Sequence, residues 1–156
     1  MKNKFIAIIL WIFSFELVGF LLGKITQSQI NTWYQTLNKS LLTPPSIIFP
    51  IVWGILYAML AIAGWSLWQQ KNHPKAKFIF SLFMLQMLMN FMWTPLFFYF
   101  HWIMFAYFWL LAMVLITFTL ILMSYKHFKL FTMMLIPYQI WLIFACYLNA
   151  VIAFKN

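Results

Sequence analysis

Five apolar runs, near residues 5–23, 46–70, 78–100, 102–124 and 131–154, leave this chain few ways to fold. Each is close to or beyond the ~20 residues that carry a helix across a bilayer core. Within lipid every backbone N–H and C=O needs an internal partner, so such a run crosses as a helix. The expected fold is an all-α membrane protein, a five-transmembrane-helix bundle forming a single domain over 1–156, with a loop over 24–45 after the first span. Composition agrees, because 66% hydrophobic and 7% charged residues cannot clothe a surface in water. The first run follows Lys2 and Lys4 as a signal peptide would. Trp11 and Glu16 interrupt it and no Ala-x-Ala-like site follows, so it is read as a true span.

The net charge of +9 comes from ten lysines against one acid, Glu16. The lysines sit in short segments between apolar runs rather than along one face, which argues for membrane flanks and against nucleic acid. Lys2, Lys4, Lys71, Lys75, Lys77, Lys126 and Lys129 share one side of a five-span chain, and Lys24, Lys39 and Lys155 the other. The positive-inside rule then predicts a cytoplasmic amino end and an external carboxyl end.

The loop carries Trp33-Tyr34, Lys39 and the stiff Pro44-Pro45 pair, residues suited to a membrane surface. Beyond it Phe49, Trp53 and Tyr57 recur every fourth residue and stack on one helix face. A stiff aromatic loop over an aromatic face reads as a lid on a site for a flat, apolar molecule; the alternative is an interfacial aromatic belt. In the third span Gln86 and Asn90 lie one turn apart, with Trp93 and Phe97 continuing that face. In the fifth, Tyr138, Trp141, Leu142, Ala145 and Asn149 form a stripe in which small Ala145 leaves a hollow. Amides, rings and a hollow suit a mostly apolar pocket with a few polar groups, though the amides can equally hydrogen-bond neighbouring helices. Pro50 falls in a first turn, whereas Pro95 is expected to kink its helix. Gly19/Gly23 and Gly54/Ala58 permit close helix approach, within the bundle or between chains.

Catalytic and metal chemistry find little support. A single carboxylate provides no acid–base pair, His73, His101 and His127 lack ligand spacing, and Cys146 lacks an electropositive activator.

Three stretches nevertheless resemble one family. The loop and second span (WYxxLxK, Pro44-Pro45, Phe49, Val52-Trp53, Leu56-Tyr57, Met59), the third span (Gln86, Asn90, Trp93, Pro95, Phe97-Phe98) and the fifth (Pro137-Tyr138, Trp141, Ala145, Leu148-Asn149) are similar to the translocator protein, or tryptophan-rich sensory protein, family. The resemblance covers about 33–152 and is weak over the first span. It implies a five-helix bundle, usually a homodimer, in the bacterial cell membrane, requiring no cofactor but binding porphyrins such as protoporphyrin IX or haem. It also implies association with sterols and benzodiazepine-type ligands. Its ligand-lining positions carry over to Trp33, Trp53, Tyr57, Asn90, Trp141 and Ala145, and the full candidate ligand-binding set adds Pro44, Phe49, Gln86, Trp93, Phe97, Tyr138 and Leu148. A propionate edge is expected to meet Lys39 or loop backbone donors.

Ser40 stands where the family usually has proline, which predicts a looser lid. Ala112 replaces an acidic residue common in the fourth span. Ala150 occupies the tyrosine position of the cholesterol pattern, so sterol binding is not inferred. The leading functional expectation is a binding protein for tetrapyrroles, acting as sensor, scavenger or carrier. The alternatives are light- and oxygen-dependent porphyrin breakdown with Trp33 or Trp53 as redox partner, a transporter of small hydrophobic ligands, or a structural subunit. The lack of inverted repeats and coupling charges weakens the transporter reading.

Overall fold

The computed structural model describes residues 2–156, with side chains from residue 4 onward, so the Lys2 side chain of the lysine count lies outside the described residues. Five helices long and apolar enough to cross a membrane account for most of it. The first, α1 (Lys2–Ile30), continues well past the expected end at residue 23. Nothing after Gly23 breaks it, because ITQSQI holds neither proline nor glycine, and the Ser28 hydroxyl donates back to the Ile25 carbonyl at 2.7 Å. Residues 24–30, expected in the loop, are therefore helical, and the lid shortens to 31–47 around one turn, α2 (Trp33–Thr36).

The remaining spans are α3 (Ile48–Trp68), α4 (Ala76–Thr94), α5 (Ile103–Ser124) and α6 (Lys129–Lys155). Pro50 sits in the first turn of α3, where its missing N–H costs nothing. Pro95 opens a π-helical turn, Pro95–Tyr99, that prolongs α4. The turn closes with the Phe100 N–H on the Pro95 carbonyl at 3.0 Å and the Trp102 N–H on that of Leu96 at 3.1 Å. The chain reverses at His101, whose φ of 56° is the left-handed conformation that ends a helix. Pro137 lies inside α6 on an exposed face.

Around the bundle α1 packs on α3, α3 on α6, α6 on α5 and α5 on α4, which returns to α1 and α3. Lipid tails are as apolar as leucine, so close fit rather than water exclusion holds these helices together. Two glycines show how close. A Cβ on Gly19 would come 2.5 Å from the Tyr57 ring, and one on Gly64 would come 2.7 Å from Trp11 and 2.9 Å from Phe83. Gly23 faces nothing within 4 Å, so the Gly19/Gly23 pair does not act as one face. Glu16 turns toward α3 beside Gly54. The Trp109 indole N–H donates to the Met89 carbonyl at 2.8 Å, tying α5 to α4, and Ser124 and Thr132 share a 2.7 Å hydrogen bond between α5 and α6.

The main core runs through Phe15, Leu60, Phe83, Met113 and Leu135. A second cluster at the lid end gathers Phe97, Phe98, Ala106 and Ile152 under Trp33, Tyr34 and Leu37. Trp93 packs against both.

Candidate functional site

Helical spacing aims Gln86 and Asn90 from α4, Tyr57 from α3 and Tyr138 from α6 at one buried point. There the Tyr57 hydroxyl donates to Asn90 Oδ1 at 3.1 Å, and Asn90 Nδ2 donates to the Tyr138 hydroxyl at 2.8 Å. Gln86 Nε2 also donates to that hydroxyl. One residue from each of three helices, plus Gln86, thus forms a buried polar floor; the amides of Gln86 and Asn90 join helices as the alternative reading held, and that of Asn149 does not.

Two aromatic walls rise from this floor toward the lid. On the α3/α6 side Trp53 lies 5.4 Å from Tyr57 and 6.4 Å from Tyr138, with Phe49 and Trp141 in edge contact at 6.0 Å above them. Ala145 is half-buried on the same face of α6, and Leu148 is buried. On the α4 side Trp93 stacks on Phe97 at 5.2 Å, a pair that the π turn directs under the lid. Trp33, read as part of a lid over the aromatic face of the second span, is placed instead over the end of α4. Its ring stacks on His101 at 3.9 Å and meets Phe97 and Phe98 edge-on at 5.4 and 6.5 Å, so it covers the α4 wall. The helical run to Ile30 is the cause, because it delivers residue 33 to the α4 end of the bundle. Pro44 is half-buried farther along the lid.

Lys39, one of the groups expected to meet a propionate edge, is engaged within the lid. Its ammonium donates to the carbonyls of Tyr34, Leu37 and Gln35 at 2.9, 3.0 and 3.3 Å, which occupies all three donors in capping the open end of α2. Burial raises the Tyr34 phenol above its ordinary pKa.

The middle of the lid is fastened by Asn38 and Asn156, which the sequence did not single out, and by Ser40, which it did. Asn156 accepts from the Asn38 backbone N–H at 2.9 Å and donates to the Asn38 carbonyl at 3.2 Å, imitating a strand pairing with one side chain. Ser40, expected to loosen the lid by replacing proline, instead hydrogen-bonds the Tyr147 hydroxyl at 2.9 Å and accepts from the Leu42 N–H at 3.1 Å. His101 was also missed; its sequence signal is its place between two helices with almost no loop, where a left-handed residue is needed.

Several buried polar atoms around the walls have no hydrogen-bond partner: the indole nitrogens of Trp93 and Trp141, both amide atoms of Asn149, and Gln86 Oε1. Asn149 is only 3% exposed, so its amide is unpaired without solvent access. Phe97 is buried, at 1% exposed, whereas Phe49, Trp53, Trp93, Trp141 and Ala145 each keep partial exposure. An open cleft lies elsewhere, at the opposite end of the bundle beside Lys75 and Lys126. His73 and His127 approach to 5.1 Å there, while His101 is at the lid end, so the three histidines do not form one site. Cys146 is buried and free.

The chain matches the model of the TspO/MBR family over residues 10–155. It is 29% identical over 141 residues to a tryptophan-rich protein TspO of Archaeoglobus fulgidus, covering 89% of this chain and 90% of that one. It is 28% identical over 120 residues to the protein CrtK of Rhodobacter capsulatus, covering 76% and 75%. It is also 31% identical over 85 residues to the translocator protein of Bos taurus, covering 53% and 50%.

Proposed function

The chain belongs to the TspO/MBR family, and from that premise we propose that this five-span membrane protein binds a porphyrin-type tetrapyrrole between its two aromatic walls. The observation that carries the reading is the set of unpaired polar atoms inside an aromatic shell: Trp93 and Trp141 Nε1, the Asn149 amide and Gln86 Oε1. An unpaired buried donor or acceptor costs about 1–3 kcal/mol. A flat macrocycle with apolar faces, pyrrole nitrogens and a polar edge offers stacking surface to the rings and partners to those atoms. Entry beneath the lid would release Asn38 from Asn156 and Ser40 from Tyr147. With Lys39 engaged in capping α2, an acidic ligand edge points to the headgroup zone and the loop's backbone donors.

Titration of the purified protein with protoporphyrin IX tests this. Removing a contact ring from an apolar pocket costs a few kcal/mol, so Trp53→Ala and Trp141→Ala should each weaken binding by about tenfold to a hundredfold. Trp68 is 45% exposed at the far end of α3, and Trp68→Ala should leave affinity unchanged. Equal losses from all three would mean that the porphyrin coats the outside of the bundle, and the proposed pocket would be wrong.

A further inference from the structure

The end of the bundle away from the lid carries a cleft of about 460 Å³ between the 71–77 loop and the 125–128 turn. We propose that it binds one anionic phospholipid, its headgroup phosphate held by Lys75 and Lys126 and an acyl chain lying along Phe78 and Leu122. The inference is independent of the tetrapyrrole reading.

Four observations carry it. The lining is divided as a lipid is divided: Lys75, Lys126 and His127 at the rim, then Phe78, Leu122 and Met123 toward the membrane. Phe78 is 62% and Leu122 54% exposed, so the apolar part opens sideways to lipid rather than into the core. The two loops are held as one wall, because the His73 and His127 rings lie 5.1 Å apart and His73 Nδ1 accepts from the Lys75 N–H at 3.2 Å. Cations at this end lie over aromatic rings, Lys126 over Tyr125 at 5.5 Å and Lys71 over Trp68 at 5.2 Å, the amphipathic pairing suited to a membrane surface.

Charge balance says what is missing. The helices α4 and α6 both begin at this end, with no acidic residue in the first turn and no side-chain cap. Lys75, Lys77 and Lys129 flank those starts, where the helix dipole already favours anions and opposes cations. The chain's one carboxylate, Glu16, lies beside Gly54 on α3 and cannot neutralise them. A phosphate diester supplies the counter-charge, and basic pockets between helix ends are the usual place for an anionic headgroup. Zwitterionic lipid would add an ammonium to a site already crowded with positive charge.

Native mass spectrometry of the full chain, released from detergent containing equal amounts of dioleoyl phosphatidylglycerol and dioleoyl phosphatidylcholine, tests the assignment. The expected result is one phosphatidylglycerol retained in preference to phosphatidylcholine. Lys75→Gln with Lys126→Gln should reduce that retention by about thirtyfold, the scale of two lysines beside an anionic surface. The Lys75→Arg/Lys126→Arg pair should keep it, which separates lost charge from lost fold. Lys24→Gln with Lys155→Gln, at the lid end, should change nothing. Equal retention of both lipids, or an equal loss from the lid-end pair, would overturn the site. Displacement of the lipid by excess inorganic phosphate would also overturn it, since the cleft would then hold a free anion and make no use of its apolar half.

Discussion

Tyr138→Phe removes one oxygen from the centre of the bundle and should cost far more than its size suggests. Tyr138 has no exposed surface, and the phenylalanine ring refills the same space, so no cavity term arises. What changes is pairing. The hydroxyl accepts from Asn90 Nδ2 at 2.8 Å and from Gln86 Nε2, and its loss leaves two amide donors buried without partners. Orphaned donors cost about 1–3 kcal/mol each in proteins generally, but interhelical hydrogen bonds within membranes average about 0.6 and reach about 1.7 kcal/mol. The lower scale governs here, because Gln86 can swing its amide toward other acceptors in the unfolded-in-membrane state. A loss of about 1.5–3 kcal/mol follows. Gln86→Leu alone should cost less, since it also removes the unpaired Gln86 Oε1. The double variant should therefore fall short of the summed losses by about 1 kcal/mol, the signature of a shared partner. Reversible unfolding in mixed micelles measures all four corners of the cycle. Strict additivity, or a Tyr138→Phe variant as stable as the parent, would show that the hydroxyl does not join α4 to α6.

Two further outcomes follow from close approach and from the lid. Gly19→Ala should destabilise the bundle by about 1–3 kcal/mol by pressing on the Tyr57 ring, as overpacking does, whereas Gly23→Ala, facing open space, should be neutral or gain up to about 1 kcal/mol of helix propensity; thermal unfolding separates them, and equal effects would refute the close contact. Trp33→Ala and Asn156→Ala should each speed porphyrin release by about tenfold with little change in association, read by stopped-flow dissociation; a change confined to association would show that the 31–47 segment is not a lid.

The five spans and their order were legible because lipid imposes a local demand. Each backbone group must pair within its own helix, so ~20 apolar residues report a helix whatever surrounds them. The facing of Gln86 with Asn90, and of Phe49, Trp53 and Tyr57, was legible for the same reason, since helical spacing sets it. The end of the first helix was legible only in part; the span was expected to end at residue 23, and the seven residues that follow stay helical.

Side-chain partners between helices were decided by tertiary structure alone. These helices are apolar nearly all round, so no polar face in the sequence fixes how each is turned about its axis. The rotation of α6 puts the Tyr138 hydroxyl on the amides of Gln86 and Asn90. The length of α1 sets Trp33 on His101, and the path of the lid brings Asn38 to Asn156 across the whole chain. Gly19 and Gly23 look alike in sequence, yet only one meets a ring. Local pairing rules reach four residues along a helix; which helix lies beside it, and how it is turned, is settled by packing summed over every contact at once.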